Sequence, residues 1–246
     1  KGVVASRSRL GGMTLRELIV ERIRSRGPLT AAAFMELALY HPTLGYYSHL
    51  GSRTGRTGDF FTSVNVGPQF GALLATQLHE MYRLLRAGRV AGFDVVEVGA
   101  ANGQLARDLL DTAETLFPDM YASIRLTLVE TSARGRDLHT ETLGHHAERL
   151  TDSVATLPDR IFGVIFANEL LDALPTHAVA MTNSGMREIY IDLDGECFVE
   201  RTGPPSSPAL RPYLDRLDVS LRPGWRGEVN LAAVDWIQGA ARRLTQ

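Results

Sequence analysis

Between residues 93 and 167 the chain alternates short, almost wholly apolar runs with amphipathic stretches, and this alternation restricts the fold more than any other feature. Phe93-Asp94-Val95-Val96-Glu97-Val98 reads as a strand and Leu105 to Phe117 as a helix. Leu126-Thr127-Leu128-Val129-Glu130 reads as a second strand, a helix begins near Ser132, and Ile161 to Ala167 forms another strand. Strands that are apolar throughout need cover on both faces, and crossover helices supply it, so the pattern predicts an α/β fold with a parallel sheet. Open sheets of this kind place ligands at the carboxyl ends of their strands. The residues that end the strands are therefore the first candidates for chemistry.

The flanks differ from this core. Thr14-x-x-Glu17 has the form of a capping box, with Leu15, Leu18, Ile19 and Ile23 at helical spacing behind it. Gly27-Pro28 stops that helix, and a second runs from about Ala31 to Tyr40, ended by Pro42. Residues 43–68 read as a glycine-rich loop, followed by a long amphipathic helix through Phe70, Leu74, Leu78, Met81 and Leu85. From His177 to Arg201 apolar and polar residues alternate around Asn183-Ser184-Gly185 and Asp194-Gly195, predicting an antiparallel hairpin or meander. Gly203 to Pro208 reads as a linker, and a short helix and a last one, Leu231 to Leu244, follow. The expected division is a tail (1–13), a helical N-terminal region with a cofactor-covering loop (14–90), an α/β core (91–176), a hairpin insertion with linker (177–230) and a core helix (231–246). Residues 1–12 carry Lys1, Arg7 and Arg9 without an acid, which fits a frayed tail or a short organellar targeting remnant.

Charge and cysteine content narrow the function classes. With 26 basic and 28 acidic side chains the net charge is −2, which gives no long-range attraction to phosphate, so no nucleic-acid partner is expected. No apolar run approaches the ~18–20 residues of a membrane-spanning helix. The single cysteine, Cys197, permits no intrachain disulfide and suits a reducing compartment: the cytoplasm, or the mitochondrion if the source is eukaryotic. Its hairpin setting predicts a packing role.

The turn Glu97-Val98-Gly99-Ala100-Ala101-Asn102-Gly103 joins the first strand to its helix. Small residues here let the backbone approach a nucleotide-like ligand. A dinucleotide fingerprint wants glycines at relative positions 1, 3 and 6, and Ala101 and Gln104 fill the second and third. Glu97 would repel a pyrophosphate but suits a cationic amino group, so the turn favours S-adenosylmethionine (SAM) over a dinucleotide. Glu130 ends the next strand, where an acid commonly accepts from ribose hydroxyls. Asp152 follows the region where a third strand should end and could accept from an adenine amino group. Asn168 and Glu169, with Asp172 nearby, follow the strand that ends at Ala167. An amide and carboxylates there could orient a nitrogen acceptor, and Glu169 could grip a guanidinium bidentately; the same spacing also fits an ordinary helix N-cap with a first-turn acid. Asp59, Phe60, Thr62 and Ser63 could form a lid over the cofactor, although Thr62 or Ser63 serves equally as an N-cap. His139, His145 and His146 lack the spacing of a zinc site on one helical face and have no cysteine nearby, so they are expected on solvated surface and no metal is expected. Tyr40, Tyr46 and Tyr47 read as core or loop anchors.

In their order these motifs resemble the MidA family of SAM-dependent methyltransferases, which includes an arginine-methylating mitochondrial assembly factor. The resemblance runs from about Leu15 to Leu244. It is carried by His41-Pro42-x-x-Gly45-Tyr46-Tyr47, Gly58-Asp59-Phe60-Phe61-Thr62-Ser63, Phe70-Gly71, Glu97-x-Gly99 with Gly103, Val129-Glu130-x-Ser132, and Asn168-Glu169-Leu170-Leu171-Asp172-Ala173-Leu174-Pro175. It implies a class I, Rossmann-like methyltransferase fold, SAM as methyl donor, and a protein substrate methylated on arginine. Ala101 stands where the family's turn usually has its middle glycine, and Val64-Asn65 where the family tends to have Pro-Glu. Family members continue past the last helix into further sheet. Only about four of the seven strands of a class I sheet are legible here, so a truncated chain, a homo-oligomer or a sheet-completing partner is expected. A non-catalytic assembly factor that retains the fold is the alternative function.

Overall fold

The computed structural model describes residues 12–48, 67–86 and 92–245. In chain order the elements are α1 (Leu15–Arg26), β1 (Leu29–Thr30), α2 (Ala31–Tyr40), α3 (Gln69–Arg86), β2 (Phe93–Val98), α4 (Gln104–Leu116), α5 (Pro118–Ser123), β3 (Ile124–Val129), α6 (Ala133–Leu143), β4 (Leu150–Val154), β5 (Gly163–Ala167), β6 (His177–Thr182), β7 (Gly185–Asp194), β8 (Cys197–Gly203), α7 (Leu210–Arg216), β9 (Arg226–Val229) and α8 (Leu231–Arg243). Two compact units emerge: described residues 12–48 with 171–236, and 67–86 and 92–170 with 237–245.

The second unit holds the parallel sheet, in the order β4-β3-β2-β5. Its two central strands, β2 and β3, are buried because the sequence makes them largely apolar on both faces. Val95, Leu126 and Leu128 are fully enclosed, packed with Leu78 of α3 and Leu109 and Leu110 of α4. Gly71 permits the close approach of α3 to α4, since a Cβ there would lie 2.6 Å from the Asp108 Cβ. Asp94 ties β5 to the centre by accepting from the Phe162 N–H at 2.8 Å, while Arg125 holds its other oxygen. A parallel bridge pairs Ile161 with Leu244 on the far side of β5.

The chain runs β2, β3, β4 toward one side and then crosses to the other side of β2 to make β5. The order therefore reverses at the β2–β5 boundary, the place where such sheets bind ligands. The register is in step there: Val98 pairs with Val129 on one side and with Ala167 on the other. Gly99, Glu130 and Asn168 thus leave three adjacent strands at one edge.

The first unit is a five-stranded antiparallel sheet with α1 and α2 against it. Thr14 and Glu17 make the expected reciprocal capping box on α1. Strands β6, β7 and β8 form the expected meander. To it are added β1, paired with β7, and β9, paired with β6, neither of which the sequence alternation reveals. Gly45 closes the turn after α2, where a Cβ would sit 2.5 Å from the His41 nitrogen. Tyr40 stacks near Tyr47 and donates to the Ala173 carbonyl at 2.8 Å, an anchoring role as expected. Cys197, the first residue of β8, is exposed beside the β7–β8 turn and not packed.

Candidate functional site

The turn after β2 is built from backbone conformations that ordinary residues avoid. Gly99 and Gly103 have φ of +74° and +86°, and Ala101 between them has φ +50°, in the left-handed region that disfavours a side chain. The Gly99 and Ala100 N–H groups donate to the Val129 carbonyl at 2.9 and 3.2 Å, which fastens the turn to the end of β3. Gly103 caps α4, and its N–H returns to the Ala100 carbonyl at 2.7 Å. Gly99 remains exposed at the sheet edge, with Leu170 beside it.

Two carboxylates stand under this turn in opposite conditions. Glu130, one residue past β3, accepts from the Ala101 N–H at 2.9 Å with one oxygen and from the Ser132 N–H at 2.8 Å with the other. Its side chain thus bridges the turns that follow β2 and β3. Glu97 is only 4% exposed, and its Oε2 atom has no hydrogen-bond partner among the described residues. Burial drives its pKa up to about 8, against the opposing backbone N–H of Ala106, and the nearby Glu130 and Asp108 charges add to the rise. A buried polar atom without a partner is costly in a folded protein, which makes this oxygen a candidate contact for a ligand.

The support beneath the turn was not legible in the sequence. His139, expected on solvated surface, is fully buried and lies between the turn and β4. Its Nε2 is 3.1 Å from the Ala101 carbonyl oxygen and its Nδ1 2.9 Å from the Ser153 hydroxyl. Burial lowers its pKa, so it is neutral at physiological pH. Gly135 allows α6 to press against the turn, because a Cβ there would lie 2.6 Å from the Ala101 oxygen and 2.8 Å from the Glu130 Cγ. His146 is also fully buried, and only His145 of the three is exposed. Asp108 is a further buried acid on α4, held by the Gln104 amide at 2.7 Å, with its pKa raised by burial.

Asp152 does not follow the third strand. It lies within β4, exposed, opposite Thr127, because that strand begins at Leu150 and runs on to Val154. Asn168 is half-buried and Glu169 exposed just past β5, and Glu169 has φ +52°. Asp172 lies in a short helical turn, Leu171–Ala173, of the first unit, and is exposed. Asp59, Phe60, Thr62 and Ser63 fall outside the described residues.

A strand-order switch, a glycine turn and acids ending the neighbouring strands describe a nucleotide-type site, and comparison with known proteins narrows the class. The family described as "Putative S-adenosyl-L-methionine-dependent methyltransferase" matches residues 73–246. The chain belongs to this family. A crystal structure from Burkholderia thailandensis, bound to S-adenosyl-homocysteine, superposes on 94% of the chain with a TM-score of 0.79 at 27% identity, and 59% of that protein is covered. The fold of the second unit is accordingly the Rossmann-like fold of SAM-dependent methyltransferases. The Rattus norvegicus protein arginine methyltransferase NDUFAF7, mitochondrial, is 31% identical over 198 residues, covering 72% of this chain and 45% of that protein. The Caenorhabditis elegans homologue is 29% identical over 215 residues, covering 77% of this chain and 49% of its own length. The chain spans about half the length of the curated relatives it matches. Family membership accords with the resemblance carried by the sequence motifs.

Proposed function

We propose that this protein binds S-adenosylmethionine at the β2–β5 switch point and transfers its methyl group to an arginine nitrogen of a partner protein. The observation that carries the reading is the buried Glu97 carboxyl, one oxygen of which is unpartnered among the described residues, beneath a left-handed glycine turn. The ligand class this fits is cationic at one end and hydroxylated at the other. Glu97 would take the amino group of the methionine part and ionise as it does so. Glu130, its Oε2 atom accepting only from the Ala101 N–H while Oε1 accepts from the Ser132 N–H and the Thr131 hydroxyl, would receive the ribose hydroxyls. The exposed Gly99 leaves room for the chain between them. When bound, SAM supplies an electrophilic methyl group on a sulfonium. What remains for the protein is alignment and exclusion of water. Asn168 and Glu169, leaving the strand adjacent to Glu97, would orient the acceptor, with Glu169 holding one side of a guanidinium so that the other nitrogen faces the methyl group. The Asp59 to Ser63 segment is proposed as a further contact to the cofactor.

The Rattus norvegicus and Caenorhabditis elegans relatives carry the name of mitochondrial protein arginine methyltransferases, which supports a protein acceptor and a reducing compartment for this chain as well. Calorimetric titration with S-adenosyl-homocysteine at pH 7, in two buffers of different ionisation enthalpy, tests the cofactor assignment. One site is expected, with release of close to one proton as Glu97 ionises. Glu130→Ala should weaken binding at least tenfold. Absence of binding, or affinity unchanged in Glu130→Ala, overturns it. Incubation with methyl-labelled SAM and a cell lysate, followed by hydrolysis, tests the activity. Labelled methylarginine is expected, and SAM binding without any labelled protein would instead identify a non-catalytic assembly factor.

A further inference from the structure

We propose that the second unit carries a site for a zinc-class divalent metal, formed by Asp111, His145 and His146 with Glu114 beside them. It lies on the last turns of α4 and on the short helical turn Gly144–Arg149, apart from the cofactor site. Gly144 ends α6 with φ +58° and turns the chain so that the two following histidines face α4. Asp111 and Glu114 are one turn apart on the exposed face of α4 and meet them.

The geometry is that of a ligand set awaiting an ion. The His146 Nε2 atom is 2.9 Å from an Asp111 carboxylate oxygen, and the His145 Nε2 atom is 3.2 Å from a Glu114 oxygen. The two imidazole rings lie 3.9 Å apart. One ligand atom from each of Asp111, His145 and His146 can be drawn together with all separations within 4.8 Å. Tetrahedral zinc, with bonds of about 2.0–2.2 Å, requires separations of about 3.3–3.5 Å. Rotation of the exposed His145 and Asp111 side chains closes that gap without moving the backbone.

His146 supplies the second, independent observation. Its ring is fully buried, and its Nδ1 lies 2.9 Å from the Tyr121 hydroxyl, which fixes the ring so that Nε2 faces the other ligands. Arg149 lies over the Tyr121 ring at 5.3 Å and holds it from the other side. A histidine whose far nitrogen is held by an oxygen partner is the usual form of a metal ligand. Two imidazole nitrogens with one or two carboxylate oxygens select zinc, cobalt, nickel or copper over magnesium and calcium. Glu114 adjoins the set through His145, its carboxylate oxygen 3.2 Å from the His145 Nε2 atom. Bound there, the ion ties α4, which follows the glycine turn, to the segment that leads into β4.

The test uses the chain without an affinity tag, stripped of metal. Titration with zinc chloride should give saturable binding of one equivalent, and cobalt chloride should produce the visible absorption of a low-coordinate cobalt site. Magnesium and calcium chloride should give no heat. Saturating zinc should raise the melting temperature by several degrees, since only the folded chain presents the set. His145→Ala and Asp111→Asn alter exposed side chains, so their folds can be verified by circular dichroism. Each should weaken zinc binding at least tenfold and abolish the thermal shift. Zinc affinity unchanged in both variants, or no saturable binding to the parent chain, overturns the proposal.

Discussion

The Glu97 carboxyl offers the sharpest test of the site, through the pH dependence of local stability. In the folded chain it keeps its proton until about pH 8, whereas the ordinary value is 4.5. Below 4.5 the carboxyl is protonated both folded and unfolded and contributes nothing. Between 4.5 and 8 unfolding releases a proton, so rising pH favours the unfolded chain and stability falls; above 8 the effect is constant. The full span is 8 − 4.5 = 3.5 pH units, or roughly 5 kcal/mol at 1.36 kcal/mol per unit. A loss of that size is a large part of the ~5–15 kcal/mol that stabilises an ordinary domain.

Glu97→Gln keeps the shape and removes the titration. Both tryptophans, Trp225 and Trp236, belong to the first unit, so fluorescence would report the wrong part of the chain. Amide hydrogen exchange of the β2 and β3 peptides, read by mass spectrometry without cofactor, reports the right one. The comparison of variant with parent at each pH cancels the intrinsic exchange rate and every other titrating group. From pH 5 to pH 8 the protection of Glu97→Gln relative to the parent should rise by a few hundredfold, about 3–4 kcal/mol. A ratio that does not change with pH would show Glu97 already ionised at neutrality, and the account of the unpartnered carboxyl would fail.

Three further outcomes are expected. Ala101→Gly should leave the fold unchanged or stabilise it by up to ~1 kcal/mol, because relief of a left-handed residue slightly exceeds the added freedom of the unfolded chain; a loss above ~1 kcal/mol in urea denaturation would refute the strain. Gly135→Ala should cost about 1–3 kcal/mol and weaken S-adenosyl-homocysteine binding, since its Cβ collides with the Ala101 oxygen and the Glu130 Cγ. His139→Ala should cost roughly 2–4 kcal/mol through two lost hydrogen bonds and a cavity. With the folded pKa of His139 lowered, the unfolded chain takes up the proton first as pH falls through about 6.5. Stability therefore drops on the acid side in the parent and less steeply in His139→Ala, which denaturation at pH 5 and pH 7 will compare.

The parallel sheet was legible because its strands are apolar throughout, and a buried strand needs no long-range information to declare itself. The positions of Glu97 and Glu130 followed, since each ends or nearly ends such a run. β4 is harder to read: Leu150-Thr151-Asp152-Ser153-Val154 is polar because it is the edge of the sheet, so its sequence does not declare the strand in which Asp152 lies. The buried histidines were illegible for a different reason. Their burial depends on partners distant in sequence, Ala101 and Ser153 for His139, Tyr121 and Asp111 for His146, and no spacing rule encodes those. Gly71 and Gly135 share this property. Each is small because of an atom in another element, the Asp108 Cβ or the Ala101 oxygen, and nothing local marks them.

The difference between the two acids under the turn carries the proposed function further than the presence of either. Had both been satisfied by backbone N–H groups, the pair would be structural and the turn complete. Had both been left without partners, their mutual repulsion would protonate one and leave the binding polarity undefined. Instead Glu130 is fixed by Ala101 and Ser132, which keeps its carboxylate in place for hydroxyl groups, while Glu97 is buried with one oxygen unpartnered among the described residues. A cation beside Glu97 both donates to the unpartnered oxygen and stabilises the ionised carboxylate, whereas a neutral ligand can at most supply the hydrogen bond. On the proposed reading the turn therefore orients its ligand with the amino group toward β2 and the ribose toward β3. S-adenosyl-homocysteine should accordingly bind far more tightly than adenosine, and the advantage should shrink in Glu97→Gln while Glu130→Ala weakens both ligands alike. Equal loss of the two ligands in Glu97→Gln would place the amino group elsewhere.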